Sequence, residues 1–361
     1  MCRRIIGIFV PKHHYQSMKN NNSLLSSYAQ FEFAAEIYQL SVCFLCTECG
    51  FHSNNINVLM RDTGNKKFVE RTINLPKIIY NRAHLNNKKV RKTLFHFIQS
   101  GSKVFNFIPI MNCKYYVNKL LEQEEHLTEY LPTTLKGSIK NLNDALQHME
   151  SFFIKPCYSS IGKGIMYVEK EKNDNWYLYE KHTAKKSWER SLFHSLEIKK
   201  VKSLFKHRSF IIQERIPLAT FQNRPFDLRV IVQKDGTGDW SISGIVAKLA
   251  PEGHLITNVG RGGEIGELQD YYNNYDNSIS DITENINTLA IDIAKALEKK
   301  WPHISDLGLD IGITKKGTPY FIECNLRGQY GALQKHINFQ PLWKKVHETP
   351  ITYANYLFDQ N

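Results

Sequence analysis

Three oxygen-bearing side chains near the end of the sequence have the spacing of metal ligands. Asp310 lies in Gly308-Leu309-Asp310-Ile311-Gly312, and Glu323 and Asn325 lie in Phe321-Ile322-Glu323-Cys324-Asn325. Residues two apart on a strand share a face. Glu323 and Asn325 therefore project together, and a tight turn at Gly317 would bring Asp310 alongside them. Two carboxylates and an amide oxygen suit a hard cation such as Mg2+, with phosphate oxygens and water completing the octahedron. An unpaired carboxylate inside an apolar strand is costly, so the competing reading is that Glu323 pairs with a basic neighbour such as Arg327.

The residues upstream are suited to phosphate. Ser159-Ser160-Ile161-Gly162-Lys163-Gly164 follows a short strand and Lys155. Glycine lifts the Cβ barrier, so backbone N–H groups in such a loop could close over phosphate oxygens, although the same segment also reads as a plain hairpin turn. It is not a Walker A loop, because no Lys-Ser/Thr pair opens a helix at the right spacing. Lys119 and Lys155 are candidate point charges for phosphate. Gln213-Glu214-Arg215-Ile216 ends an apolar strand at a candidate hinge, where backbone groups and Glu214 could meet an adenine edge. Asp227 and Arg229 share one face of Phe226-Asp227-Leu228-Arg229-Val230, and an arginine fork matches phosphate or carboxylate. Lys248, Asn258 and Arg261-Gly262-Gly263 add cationic and amide donors.

These residues need strands and turns to position them. Ile5–Val10, Val42–Leu45, Val58–Met60 and Ile78–Tyr80 read as strands, with helical periodicity over Tyr28–Leu40 and Arg91–Ser100. That order predicts a small parallel-sheet unit. The pattern changes near Met111. A helix is expected over Tyr115–Glu125, then strands Phe152–Ile154, Ile165–Val168 and Phe210–Gln213. Asp227–Gln233 and Trp240–Lys248 alternate as an antiparallel pair about Asp235-Gly236-Thr237-Gly238. A long helix, Ile282–Lys300, precedes strands Leu307–Ile313 and Pro319–Cys324. The class is α/β, with α+β character in the C-terminal half.

The 361 residues carry a net charge of +12, which favours anionic partners such as nucleotides or acidic peptides or simply solvates the surface. No nucleic-acid-binding motif is present. No apolar run approaches the roughly 20 residues that span a bilayer. Arg3–Val10 reads as a first strand and not a signal peptide, so an intracellular, cytoplasmic protein is expected. Seven cysteines without a secretory context argue against a disulfide framework. Cys43, Cys46 and Cys49, with His52, resemble a metal knuckle, but no second pair accompanies them, and cysteine in an apolar strand behaves as a small hydrophobe.

Taken in order, the lysines, Ser/Gly loop, Gln-Glu hinge, Asp-Leu-Arg strand, Asn with Gly-Gly, and Asp with Glu-x-Asn resemble the ATP-grasp superfamily across residues 110–361. The separation of Asp310 and Glu323 is similar to that in D-alanine–D-alanine ligase. Among subfamilies the chain most resembles the YheC/YheD-type endospore-coat-associated ATP-grasp proteins. That likeness includes Leu75–Arg82, Phe226–Arg229 and Thr257-Asn258-Val259 with Gly262-Gly263. The Asp-Leu-Arg segment also resembles tubulin-tyrosine ligases, and Asn258–Gly263 the RimK-type glutamate ligases.

The resemblance implies an N-terminal pre-ATP-grasp domain over 1–109 and a two-subdomain ATP-grasp domain over 110–361. It implies ATP and Mg2+ as cofactors, with Lys119 and Lys155 on phosphates, Ser159, Ser160, Gly162, Lys163 and Gly164 in the phosphate loop, and Gln213, Glu214 and Ile216 at the adenine. Asp227 lies within this nucleotide site, Arg229, Lys248 and Asn258 surround the γ-phosphate and acceptor, and Asp310, Glu323 and Asn325 bind magnesium. Lys248 stands where related ligases usually have arginine, which weakens bidentate phosphate contact there. The expected activity is an ADP-forming carboxylate–amine ligase acting through an acyl phosphate on an amino acid, peptide or protein. The rivals are a spore-coat structural protein that binds ATP without turnover, and a phosphotransferase.

Overall fold

The computed structural model describes residues 3–21, 26–52, 55–62, 64, 67–109, 113–158, 162–172, 174–181, 188–257, 262–273, 275–328 and 330–360. Ser159, Ser160, Ile161, Asn258 and Arg261 of the expected site, and the change of pattern at 110–112, lie outside these.

The first unit comprises β1 (Ile5–Phe9), α1 (Lys12–Asn21), α2 (Ser26–Ile37), β2 (Ser41–Leu45), β3 (Phe51–His52), β4 (Asn55–Arg61), β5 (Phe68–Asn74), β6 (Ile78–Asn81), α3 (Lys88–Gln99) and β7 (Lys103–Phe105). β1 is central and parallel to β2 and β6, and β7 continues the parallel order beyond β6. These strands are continuous apolar runs because helices cover both faces. The expected parallel order holds here, but β4 pairs antiparallel with β2, β3 and β5. The alternation of exposed and buried residues in β4 fits a sheet with one wet face.

The second unit comprises α4 (Lys114–Leu121), β8 (Thr134–Lys136), α5 (Ile139–His148), β9 (Ser151–Pro156), β10 (Met166–Lys170), β11 (Trp176–Lys181), β12 (Trp188–Leu192), α6 (Ser195–His207) and β13 (Phe210–Glu214). Its antiparallel sheet runs β12-β11-β10-β9-β13-β8. One face carries Phe152, Ile154, Val168 and Ile212 into an apolar core under α5 and α6. Period-two alternation leaves Phe153, Lys155 and Gln213 on the other face.

The third unit comprises β14 (Thr220–Phe221), β15 (Arg224–Lys234), β16 (Trp240–Leu249), β17 (Glu264–Gly266), α7 (Leu268–Tyr272), α8 (Ile279–Lys300), β18 (Asp306–Ile313), β19 (Pro319–Asn325), α9 (Gly331–Gln334) and α10 (Gln340–Asp359). The sheet order is β17-β16-β15-β18-β19, with β14 on β15. Ile286, Leu289, Ile293 and Leu297 of α8 pack against Leu228, Val230, Leu309 and Ile311. That amphipathic stripe closes one face of the sheet and leaves the other face for the site. The C-terminal α10 returns to the first unit, where Ile351, Tyr353 and Ala354 pack with Phe31, Phe44 and Tyr80. Among the described residues no helix is long and apolar enough to cross a membrane.

Candidate active site

A cleft of about 800 Å³ lies between the small sheet and the open face of the large one. Phe153, Lys155, Gly162 and Ile165 form one wall. Asp227, Arg229, Lys248, Asp310, Glu323 and Asn325 line the other. Strand register explains the second wall. Asp227 stands opposite Lys248, and Arg229 opposite Asp310. Asp310 in turn faces Glu323, and a register shift beside this pair puts Ile322 and Glu323 together in the cleft.

Asp310 is the hub. It accepts Arg229 Nε at 2.8 Å and Nη2 at 3.2 Å, Lys248 Nζ at 2.8 Å, and a longer contact from Asn325 Nδ2 at 3.4 Å. Burial alone would raise its pKa, but Arg229 and Lys248 outweigh that and hold the carboxyl well below the usual range. The cations show the converse balance: burial opposes the charge on Arg229, but Asp310 outweighs it, and Asp227 with Asp310 does the same for Lys248. Asp227 Oδ1 lies 2.8 Å from Lys248, and its other oxygen accepts the Thr257 hydroxyl. Burial pushes the Asp227 pKa up, partly offset by Lys248.

Lys155 is buried, and among the described residues no carboxylate forms an ion pair with it. Its ammonium donates to Gln213 Oε1 at 2.6 Å and lies 5.0 Å from the Phe153 ring centroid. Burial lowers its pKa to about 8, with Glu323 opposing the shift. A desolvated cation on the wall of a cleft is poised for an anion. Glu323 is more open, with Lys114 at 3.5 Å as its cationic neighbour. The competing pairing of Glu323 with Arg327 is not formed; Arg327 turns to the Arg82 carbonyl and His84.

The donor set would suit magnesium only with ligands from outside the chain, since Asp310 is engaged by Arg229 and Lys248 and Asn325 turns its amide nitrogen to it. Among the described residues no three His, Cys, Asp or Glu side chains are grouped to hold a metal unaided. Two carboxylates and one amide oxygen suit an ion that arrives with phosphate oxygens and keeps waters. The same observation disfavours the knuckle at Cys43, Cys46 and Cys49. Cys43 packs in a different core from Cys46, and the Cys46 and Cys49 sulfurs lie 3.9 Å apart, with Tyr15 against Cys49 and the Glu48 N–H on Cys46.

Other expected residues divide. Gly162 lines the cleft with φ 61°, and Gly164 has φ 74°, both in the left-handed region that glycine tolerates. Lys163 is exposed and outside the cleft lining. Gln213 braces Lys155 and donates to Thr134 at 3.1 Å. The Glu214 carboxylate accepts the Thr133 N–H at 3.2 Å, and the Ile216 carbonyl accepts from Leu218 at 2.9 Å. Neither lines the cleft. Lys119 also points away, held by Glu122 on an exposed face. It is Lys114 that reaches Glu323, although it too lies outside the cleft lining. Helical phase explains the difference: Lys114, Val117, Asn118 and Leu121 share the inward face of α4, and Lys119 lies off it.

Comparison with known proteins follows this geometry. A family model described as YheC/D-like ATP-grasp matches residues 101–357. The endospore coat-associated protein YheD of Bacillus subtilis (strain 168) is 24% identical over 313 residues, covering 84% of this chain and 67% of that protein. Among solved structures, the macrocyclase MdnC, crystallised with precursor peptide MdnA from Microcystis aeruginosa MRC, matches with TM-score 0.53 and 12% identity over 95% of this chain and 98% of its own. The VanG D-Ala:D-Ser ligase from Enterococcus faecalis matches with TM-score 0.52 and 15% identity, covering 98% of this chain and all of that one (100%). These structural likenesses establish a shared ATP-grasp fold.

Proposed function

The chain belongs to the YheC/D-like ATP-grasp family, and from that premise we propose that it is an ATP-dependent carboxylate–amine ligase acting on an amino acid or peptide. The observation that carries this reading is the convergence of Lys155, Arg229 and Lys248 with Asp310, Glu323 and Asn325 on one cleft. ATP would lie between the sheets, with Lys155 on its phosphates and Lys114 behind Glu323. Magnesium, held by Asp310, Glu323 and Asn325, would neutralise charge on the terminal phosphates. Arg229 and Lys248 spend their charge on Asp310 in the structure described, and in this reading both share it with the γ-phosphate once nucleotide is bound. Asn258, outside the described residues, is expected from the resemblance alone to add a donor near the acceptor.

The substrate carboxylate attacks the γ-phosphorus. A P–O bond to ADP breaks as one to the carboxylate forms, giving an acyl phosphate. The amine then attacks the acyl carbon, phosphate leaves, and the amine proton passes to solvent. These steps ask the protein for alignment and charge neutralisation, which is what the site residues can supply. Kinship with an endospore coat-associated protein supports association with the coat.

Calorimetric titration with Mg-ATP, paired with ADP release across a carboxylate and amine panel, tests the reading. Wild type should bind, Lys155→Met should bind at least about tenfold more weakly, and Glu323→Ala should lose ADP formation. Binding without turnover across the panel favours the structural rival, and absence of binding sinks the proposal.

A further inference from the structure

A second cavity, of about 190 Å³, lies behind the nucleotide cleft where the three units meet. The loop after β6 supplies His84, α4 supplies Lys114 and Asn118, and the chain beyond β19 supplies Arg327. Ile322, Glu323 and Asn325 line both cavities, so the expected phosphate end of the cleft forms a shared partition.

Arg327 is the unusual residue here. Apart from Lys155, the neighbouring cations have carboxylates: Arg82 pairs with Asp306, Arg229 with Asp310, and Lys248 with Asp227 and Asp310. Among the described residues none pairs with Arg327. Its Nη1 donates to the Arg82 carbonyl at 2.7 Å, and its Nη2 faces His84 Nε2 at 3.1 Å. Burial, followed by the charge of Arg327, lowers the His84 pKa, so the imidazole is neutral near pH 7 and its Nε2 accepts from the guanidinium. A half-buried guanidinium anchored by a carbonyl and a neutral imidazole has no ion-pair partner among the described residues, so its charge is available to a ligand. Lys155 is in the same condition across the partition, where a phosphate is expected.

We propose that Arg327, braced by His84, is the recognition site for a free carboxylate on the ligase substrate, which is therefore an amino acid or a peptide ending in one. The inference rests on the ligase reading above. It assigns the nucleotide to the cleft with Lys155 and the substrate to the cavity with Arg327, the two meeting at Glu323 and Asn325. The guanidinium fork matches a carboxylate bidentately, and a neutral amide in its place would leave the charge unanswered.

Saturation-transfer NMR on the full chain, with Mg2+ and a non-hydrolysable ATP analogue, would compare N-acetylglycine with N-acetylglycinamide. The carboxylate should bind wild type about ten- to a hundredfold more tightly than the amide, as expected for one charge-assisted contact. Arg327→Gln should erase that preference while leaving affinity for the Mg-nucleotide within about threefold. Arg327→Lys, which keeps the charge and a donor to the Arg82 carbonyl, should retain part of it. Equal binding of the two probes, no binding of either, or a preference that survives Arg327→Gln overturns the inference. Failure of wild type to bind the nucleotide analogue would instead count against the ligase reading, with the probe comparison still readable on the chain alone.

Discussion

Lys155 shows what one residue costs and supplies. Its pKa of about 8 in the folded chain lies below the ordinary lysine value of 10.5. The unfolded chain therefore binds the proton more tightly, and this penalty on stability is full below pH 8 and relaxes as pH rises towards the ordinary value. By linkage it amounts to about 3 kcal/mol at neutral pH. Lys155→Met should raise the stability of the nucleotide-free protein in denaturant by about 1–2 kcal/mol, once the lost Gln213 hydrogen bond is deducted, while nucleotide affinity collapses. Affinity for Mg-ATP should fall as pH rises through about 8, and Lys155→Arg should remove that inflection; a flat profile for wild type would contradict it. Asp310 and Glu323 should differ in the opposite respect. Asp310→Asn takes the carboxylate from Arg229 and should cost about 3–5 kcal/mol. Glu323→Gln loosens only a partly exposed pairing with Lys114 and should stay within about 1 kcal/mol, yet lose turnover. Asp227, Arg229 and Lys248 were legible from strand alternation. Lys114 was not: residue type does not separate it from Lys119, and only the phase of α4 does.

At the scale of elements, the site depends on small residues as much as on charged ones. Gly308 lies on β18 beneath Arg229, and a Cβ there would meet Arg229 Nη1 at 3.1 Å and Cδ at 3.2 Å. The glycine lets the arginine lie flat across the strand to reach Asp310. Gly308→Val should push the fork off Asp310 and lower kcat/KM by about tenfold or more, with a smaller loss of stability than Asp310→Asn; unchanged kinetics would show that the fork tolerates displacement. The sequence displayed Gly308 and Gly312 around Asp310 but not what they admit, because the contact comes from a neighbouring strand. Likewise, the strands β15, β16, β18 and β19 were readable from alternation, whereas the bulge that puts Ile322 and Glu323 into the same cleft depends on pairing register. Of the antiparallel strands, β4 was read at Val58–Met60, while β3 and β5 were missed, since polar residues there dilute the apolar signal that marks β1 and β6.

Across the whole molecule, a buried knot ties the first unit to the third. Asp306 on β18 accepts Tyr80 at 2.6 Å and Arg82 at 3.0 Å, and also the Tyr330 hydroxyl. Arg82 in turn donates to the Gly328 carbonyl at 3.0 Å and supplies the carbonyl that anchors Arg327. Asp306→Ala should cost about 3–5 kcal/mol by stranding Arg82, and should disturb the second cavity before the nucleotide cleft. Comparison of denaturant melts with Mg-ATP affinity would check this; weakened nucleotide binding at intact stability would contradict it. No sequence pattern announced the knot, because its members are 226 positions apart between Tyr80 and Asp306. The central claim is that the cleft activates a carboxylate with ATP. Its most direct test is trapping: incubate the protein with Mg-ATP, hydroxylamine and an extract of small carboxylates and peptides, and search for hydroxamates by mass spectrometry. Hydroxamates formed with ADP by wild type and absent with Glu323→Ala are the expected result. ADP release with no hydroxamate, or a phosphorylated hydroxyl product in its place, would contradict it.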